Sequence, residues 1–178
     1  MRRILAVLVA GMVSVGVIAT PALAGFADAR GLGGGVTIRN DRNDTSAVLD
    51  IWQVASDLSR RRVFLAVATY DPFTTTDLDG RNGSYFVFLL DTKRRGAADK
   101  YVYAYWDSVE GRFECSLFNR GGGSKGERRA FDSGSDFVAC VLPRNWFDIR
   151  KEVKFGVESY DLNFFTDRAP NNGRYRGL

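Results

Sequence analysis

Hydrophobic and polar positions along this chain repeat with a period of two. Residues 63–70 (Val-Phe-Leu-Ala-Val-Ala-Thr-Tyr) and 85–90 (Tyr-Phe-Val-Phe-Leu-Leu) are apolar on both faces, rich in β-branched and aromatic side chains, and bounded by turn formers. Such runs predict central strands covered on both sides. Plainer alternation flanks them. Residues 47–55 set Val48, Asp50, Trp52 and Val54 against Ala47, Leu49, Ile51 and Gln53, and residues 100–106 set Tyr101, Tyr103 and Tyr105 against Val102, Ala104 and Trp106. Further strands are predicted at 112–118, 129–132, 136–142 and 153–160, with a short edge strand at 36–38. Residues 119–128, with three consecutive glycines, read as a long flexible hairpin connection. Residues 143–150 hold the one helical turn, opened by Pro143, and 161–178 form a polar end. About eight strands at intervals of roughly 8 to 15 residues, almost without helix, predict an all-β antiparallel sandwich. A jelly-roll order is preferred to the immunoglobulin one, because the two cysteines come late and no Trp lies between them.

The first 24 residues stand apart from this pattern. Arg2 and Arg3 precede an apolar run over 4–18, and Ala22-Leu23-Ala24 supplies a small-x-small cleavage signal. Residues 1–24 are therefore expected to be a cleaved secretory signal peptide, 25–45 a flexible Gly- and Asn-rich segment, and 46–178 one sandwich domain. The expected location is secreted or extracellular. Cleavage would remove two Arg and no acidic residue, lowering the net charge from +4 to +2 (23 basic minus 21 acidic). The remaining charges are interspersed, which argues against nucleic acid and, after cleavage, against a membrane as partner.

An oxidising compartment makes Cys115 and Cys140 a disulfide by default. Phe113, Cys115 and Leu117 share one strand face and Val138, Cys140 and Leu142 another, so both sulfurs should point inward. Closing a loop of about 26 residues would stabilise the fold by roughly 3 to 4 kcal/mol. No Cys-x-x-Cys spacing suggests a redox pair.

The chain has no His, and its two Met, Met1 and Met12, lie in the leader. Ser-His-Asp and Cys-His catalysis and His-containing zinc sites are thereby excluded. Glycoside hydrolysis by a carboxylate pair survives, with Glu110 and Glu114 near Asp107 as the nearest cluster. The acidic loop between the two central strands holds Asp77-x-Asp79-Gly80-x-Asn82-Gly83, a candidate calcium loop with Asp71 as an extra ligand, since calcium takes oxygen donors from a sharply turning chain. Turn-forming Asp, Asn and Gly explain the same residues equally simply. Tyr101, Tyr103 and Tyr105 are the candidate ligand surface, with Trp106 and Phe73 beside polar loops as weaker candidates. Aligned tyrosines either offer sugars flat apolar area rimmed by hydroxyls or pack within the sandwich, and alternation alone does not say which face is wet.

The succession Asp50-Ile51-Trp52-Gln53-Val54, then 62–69, then Phe86-Val87-Phe88-Leu89-Leu90-Asp91-Thr92 resembles secreted actinobacterial β-sandwich proteins of uncharacterised function. These are similar in pattern to DOMON-like domains and family 9 carbohydrate-binding modules. The resemblance implies a sandwich whose relatives bind sugars or haem, sometimes with a structural calcium ion. Haem is argued against here, because the mature chain lacks the usual His and Met ligands and its cysteines are expected to be paired. The expectation is an exported, monomeric, non-enzymatic module that binds carbohydrate. A secreted or envelope protein-interaction module, such as an inhibitor or matrix component, is the alternative, and a carboxylate-pair hydrolase the second.

Overall fold

The computed structural model describes residues 36–93, 95–130, 132–149, 153–171 and 175–176, so the expected leader at 1–24 lies outside the described residues. In chain order the first strands are β1 (Thr37–Asn40), β2 (Ile51–Leu58), β3 (Arg62–Thr69), β4 (Tyr85–Asp91), β5 (Lys100–Asp107) and β6 (Arg112–Asn119). They are followed by β7 (Ser124–Arg129), β8 (Asp132–Ser133), β9 (Phe137–Pro143), β10 (Lys154–Asp161), β11 (Phe164–Ala169) and β12 (Tyr175–Arg176). One sheet runs β1-β2-β3-β9-β8 and the other β11-β10-β4-β5-β6-β7, with β12 pairing on β10. The all-β antiparallel sandwich is what the alternation predicts.

The two doubly apolar runs become the inner strands β3 and β4, one in each sheet. Val63, Leu65 and Val67 of β3 face Phe86, Phe88 and Leu90 of β4 across the core, joined by Val102, Ala104, Cys115, Leu117, Phe155 and Val157. On the other side of β3, Phe64, Ala66 and Ala68 form a second buried cluster with Ala55, Phe137 and Ala139. That second cluster is why β3 lacks a polar face. Cys115 on β6 and Cys140 on β9 are bonded, joining the two sheets through the core.

Elsewhere the boundaries shift for physical reasons. β2 begins at Ile51 and carries a bulge between Ile51 and Gln53. The bulge puts Val54 on the same buried side as Ile51, three residues away, where strict alternation would separate them. The edge strand β1 reaches Asn40, inside the segment expected to be flexible. The expected connection at 119–128 is a short turn followed by strand β7, whose exposed Lys125, Glu127, Arg128 and Arg129 make a charged sheet edge with no apolar period to read. The polar end likewise contains β11, joined to β10 through Leu162 and Asn163, both at positive φ (49° and 67°), a two-residue hairpin turn. The expected helical turn is a 3-10 turn at Arg144–Trp146, and a second 3-10 turn, which the alternation does not predict, lies at Gly80–Asn82.

Strands β4, β5 and β6 are consecutive hairpins and β10 returns to lie beside β4, the spatial order of a Greek key. The first sheet begins instead as a meander, β1-β2-β3, closed by β9. Among the described residues, this key lies within the second sheet.

Candidate functional site

Because Val102 and Ala104 are buried in the core, the period-two geometry of β5 turns Tyr101, Tyr103 and Tyr105 to the outer face of the second sheet, where each is half-buried. Antiparallel register sets other aromatics beside them: Tyr101 pairs with Phe118 of β6, and Tyr160 of β10 with Tyr85 of β4. Ring contacts then run across five strands. Phe165 meets Tyr160 at 5.9 Å between centroids, Tyr160 stacks on Tyr85 at 5.0 Å, Tyr85 meets Tyr103 edge-on at 5.2 Å, and Tyr103 meets Phe118 at 5.5 Å. Tyr85, the three tyrosines of β5 and Phe118 line an open cleft of about 580 Å³, closed at its rim by Gly80 and by residues 119–122 of the β6–β7 turn.

The rim is built by backbone. Asp79 forms an isolated bridge with Trp106 at the end of β5, and Trp106 N–H donates to the Leu78 carbonyl at 2.7 Å. This ties the 3-10 turn Gly80–Asn82 against Tyr105, and a Cβ on residue 80 would lie 2.5 Å from Tyr105 Cδ2. Only a glycine fits there without displacing the ring.

Hydroxyls and charges are placed within this apolar face. Ser116 donates to Glu127 Oε1 at 2.9 Å and lies 3.1 Å from the Tyr105 hydroxyl, while Tyr101 donates to the Ala98 carbonyl at 3.3 Å. Tyr160 donates to Glu158 Oε2 at 2.8 Å, and Glu158 is ion-paired with Arg168. Among the described residues the Tyr85 and Tyr103 hydroxyls make no hydrogen bond. Burial, then the neighbouring charges and phenols, raises the pKa of Tyr85 and Tyr103. Burial and the Glu158 contact push Tyr160 up to about 12. Tyr85, Tyr103 and Tyr160 are therefore neutral donors and acceptors at ordinary pH.

Of the residues proposed from sequence, Tyr101, Tyr103 and Tyr105 come together in this cleft, whereas Phe73 and Trp106 do not. Phe73 is 5 % exposed and packs its ring against Phe86 and Phe113 in the core. Trp106 has the parity of Val102 and Ala104, and its ring meets Phe113 at 5.2 Å at the edge of the core. Glu114 accepts from Arg112 Nε at 2.5 Å and Glu110 lies 3.8 Å from the same guanidinium, so these two carboxylates flank a cation at a hairpin end. Tyr85, Phe118, Tyr160 and Phe165 were not singled out. For Tyr85, Phe118 and Tyr160, parity opposite core residues is the available signal, whereas Phe165 shares the parity of core Ala169 and reaches the outer face only past the bulge at Ser159 and Tyr160.

The candidate calcium loop engages its own backbone. Asp77 Oδ2 accepts from Thr74 N–H and Oγ1, both at 2.7 Å, and Asp79 caps the 3-10 turn by accepting from Arg81 N–H at 3.0 Å. Asn82 Nδ2 reaches Asp79 at 3.5 Å, and Asp71 is exposed with its carbonyl bound to Thr69 Oγ1. Among the described residues, the carboxylates that converge are elsewhere: one oxygen each of Asp44, Asp50 and Asp167 lies within 4.8 Å of the others. Asp50 and nearby Asp41 are each pushed up to about 6, by burial first and then by the charge of Asp167.

No protein-family model, no curated protein and no solved structure matches the chain, so the reading of these sites rests on their geometry.

Proposed function

We propose that the protein is an exported, non-enzymatic binding module whose tyrosine cleft takes carbohydrate. One observation carries this reading: Tyr85, Tyr101, Tyr103, Tyr105 and Phe118 face outward around an open cleft, with the aromatic surface half-exposed. Pyranose rings present apolar C–H faces edged by hydroxyls, and a row of phenol rings, of which Tyr85 and Tyr103 have hydroxyls without a partner among the described residues, complements both features. The disulfide joining the sheets suits an oxidising compartment. Among the described residues no helix is long and apolar enough to cross a membrane. The test is retention on a panel of polysaccharides, followed by calorimetry with a soluble fragment of any that binds. Tyr103→Ala is expected to weaken binding at least about tenfold, as for a central aromatic anchor, and Tyr103→Phe to retain most of it. Binding indifferent to Tyr103→Ala, or no retained glycan, counts against the cleft.

A protein partner is the second reading, favoured by the tip of the β10–β11 hairpin. Leu162, Phe164 and Phe165 are exposed there, Phe164 at 76 %, and Phe165 continues the row of aromatic rings. A partner of this kind would be lost with Phe164→Ser and kept with Tyr103→Ala.

A further inference from the structure

The loop 41–50, which joins β1 to β2, brings Asp41 and Asp44 against Asp50, the residue before β2 begins. Asp167 reaches the same place from β11, in the other sheet. Asp167 is 4 % exposed and held in orientation, Oδ2 accepting from Ile51 N–H at 2.7 Å and Oδ1 from its neighbour Arg168 N–H at 2.6 Å. Asp44 accepts from Asn171 Nδ2. Asp50 differs from both: it is 1 % exposed, neither carboxylate oxygen makes a well-aligned hydrogen bond, and its polar neighbours are the Thr45 backbone N–H and the Asp167 carboxylate. Asp41 Oδ2 is buried and unpartnered.

Charge balance sharpens the anomaly. Among the described residues no Lys or Arg makes an ion pair with any of these four carboxylates. Arg42 is the one base that acts on Asp41, and Arg168 turns away to Glu158 on the outer face. Burying a carboxylate with no well-aligned hydrogen bond and no counter-charge costs several kcal/mol, and folded proteins avoid it unless something completes the site. Three converging carboxylates, one exposed and two buried, supply hard anionic oxygens without nitrogen or sulfur donors, the preference of calcium rather than zinc or copper.

We propose that Asp44, Asp50 and Asp167 form a binding site for one calcium ion, which clamps β2 of the first sheet to β11 of the second. Asp41 supplies a fourth negative charge beside it. The site lies away from the loop carrying Asp77 and Asp79 and does not depend on the tyrosine cleft. The rival arrangement is a proton shared between Asp50 and Asp167, with no metal.

The test uses the purified protein stripped with EDTA and then titrated with calcium chloride. Calorimetry should give one equivalent bound per chain. Tm should rise by roughly 5 to 10 °C at calcium a hundredfold above its Kd. Asp50→Asn, which keeps the shape and removes the charge, should abolish the calcium-dependent shift while leaving Tm in EDTA unchanged or higher. Asp79→Asn should leave the calcium response intact. The proposal is overturned by an absence of binding at millimolar calcium, by Asp50→Asn retaining the shift, or by Asp79→Asn abolishing it. Asp50→Asn raising Tm equally with and without calcium would identify the shared proton instead.

Discussion

Cys115 on β6 and Cys140 on β9 lie in different sheets, and their bond crosses the core with 5.9 Å between Cα atoms. Both side chains are fully buried among Val63, Leu65, Ala104 and Leu117. Removing the bond by Cys115→Ala with Cys140→Ala should cost about 2 to 5 kcal/mol, read as a lower denaturant midpoint, because the open chain regains loop entropy and the core loses two packed sulfurs. Burial adds a kinetic expectation. Dithiothreitol should leave the native protein oxidised and reduce it only at denaturant concentrations that unfold it, as followed by thiol alkylation. Rapid reduction in native buffer would show that the sheets separate locally.

Gly80 is the second position where a single atom decides. An added Cβ meets Tyr105 at Cδ2, Cγ and Cβ, at 2.5, 2.9 and 3.2 Å, and the last of these cannot swing away because it is fixed to the strand. Gly80→Ala should destabilise the protein by about 1 to 3 kcal/mol and should weaken glycan binding, since the displaced ring is a wall of the cleft. Gly123, in the turn on the opposite rim, is the control. The nearest atom to its added Cβ is Asn119 Nδ2 at 3.8 Å, so Gly123→Ala should leave both stability and binding within error.

How much of this could be read in the sequence follows from where the information lies. The strands β3 to β6, β9 and β10 have apolar faces, so their existence, and the inward aim of Cys115 and Cys140, are written in period two. The outward aim of Tyr103 follows once Val102 and Ala104 are known to be core, but which of two amphipathic faces becomes the core depends on the partner sheet. Strands β7 and β11 are different. Their polar edges carry no apolar face to detect, and the bulge in β2 breaks the parity that detection relies on. The acidic cluster is less legible still. Asp50 and Asp167 are separated by more than a hundred positions, and only the docking of β11 beside β2 joins them. Asp77 and Asp79 stand close in sequence, and each accepts from an N–H group of its own turn.

Phe164 and Phe165 give a prediction that separates surface from fold. Phe164 is 76 % exposed, so Phe164→Ser should change stability by no more than about 0.5 kcal/mol. Phe165 lies under the Arg168 guanidinium at 5.6 Å and edge-on to Tyr160, so Phe165→Ser should cost more, about 1 kcal/mol, through lost aromatic and cation–π contact. If the cleft alone binds glycan, Phe164→Ser leaves retention on polysaccharide unchanged. A loss equal to that of Tyr103→Ala would extend the binding surface to the hairpin tip.

Tyr160 links the aromatic row to alkaline stability. Burial, the hydrogen bond it donates to Glu158, the Glu158 charge and neighbouring Tyr85 raise its folded pKa to about 12, from an ordinary value near 10. The folded state then holds this proton more tightly than the unfolded state. Its contribution to stability is complete below about pH 10 and is lost as pH rises through the interval from 10 to 12. Absorbance at 295 nm should therefore show one phenol ionising after the others, just as the protein begins to unfold. Tyr160→Phe should delete that late component and flatten the fall in denaturant midpoint between pH 9.5 and 11.5. Glu158→Gln should move the same component to lower pH by removing the charge while retaining an acceptor. An unchanged late component in Tyr160→Phe would assign the perturbed phenol elsewhere, with Tyr85 and Tyr103 next to be replaced, because their pKa values are raised by the same burial.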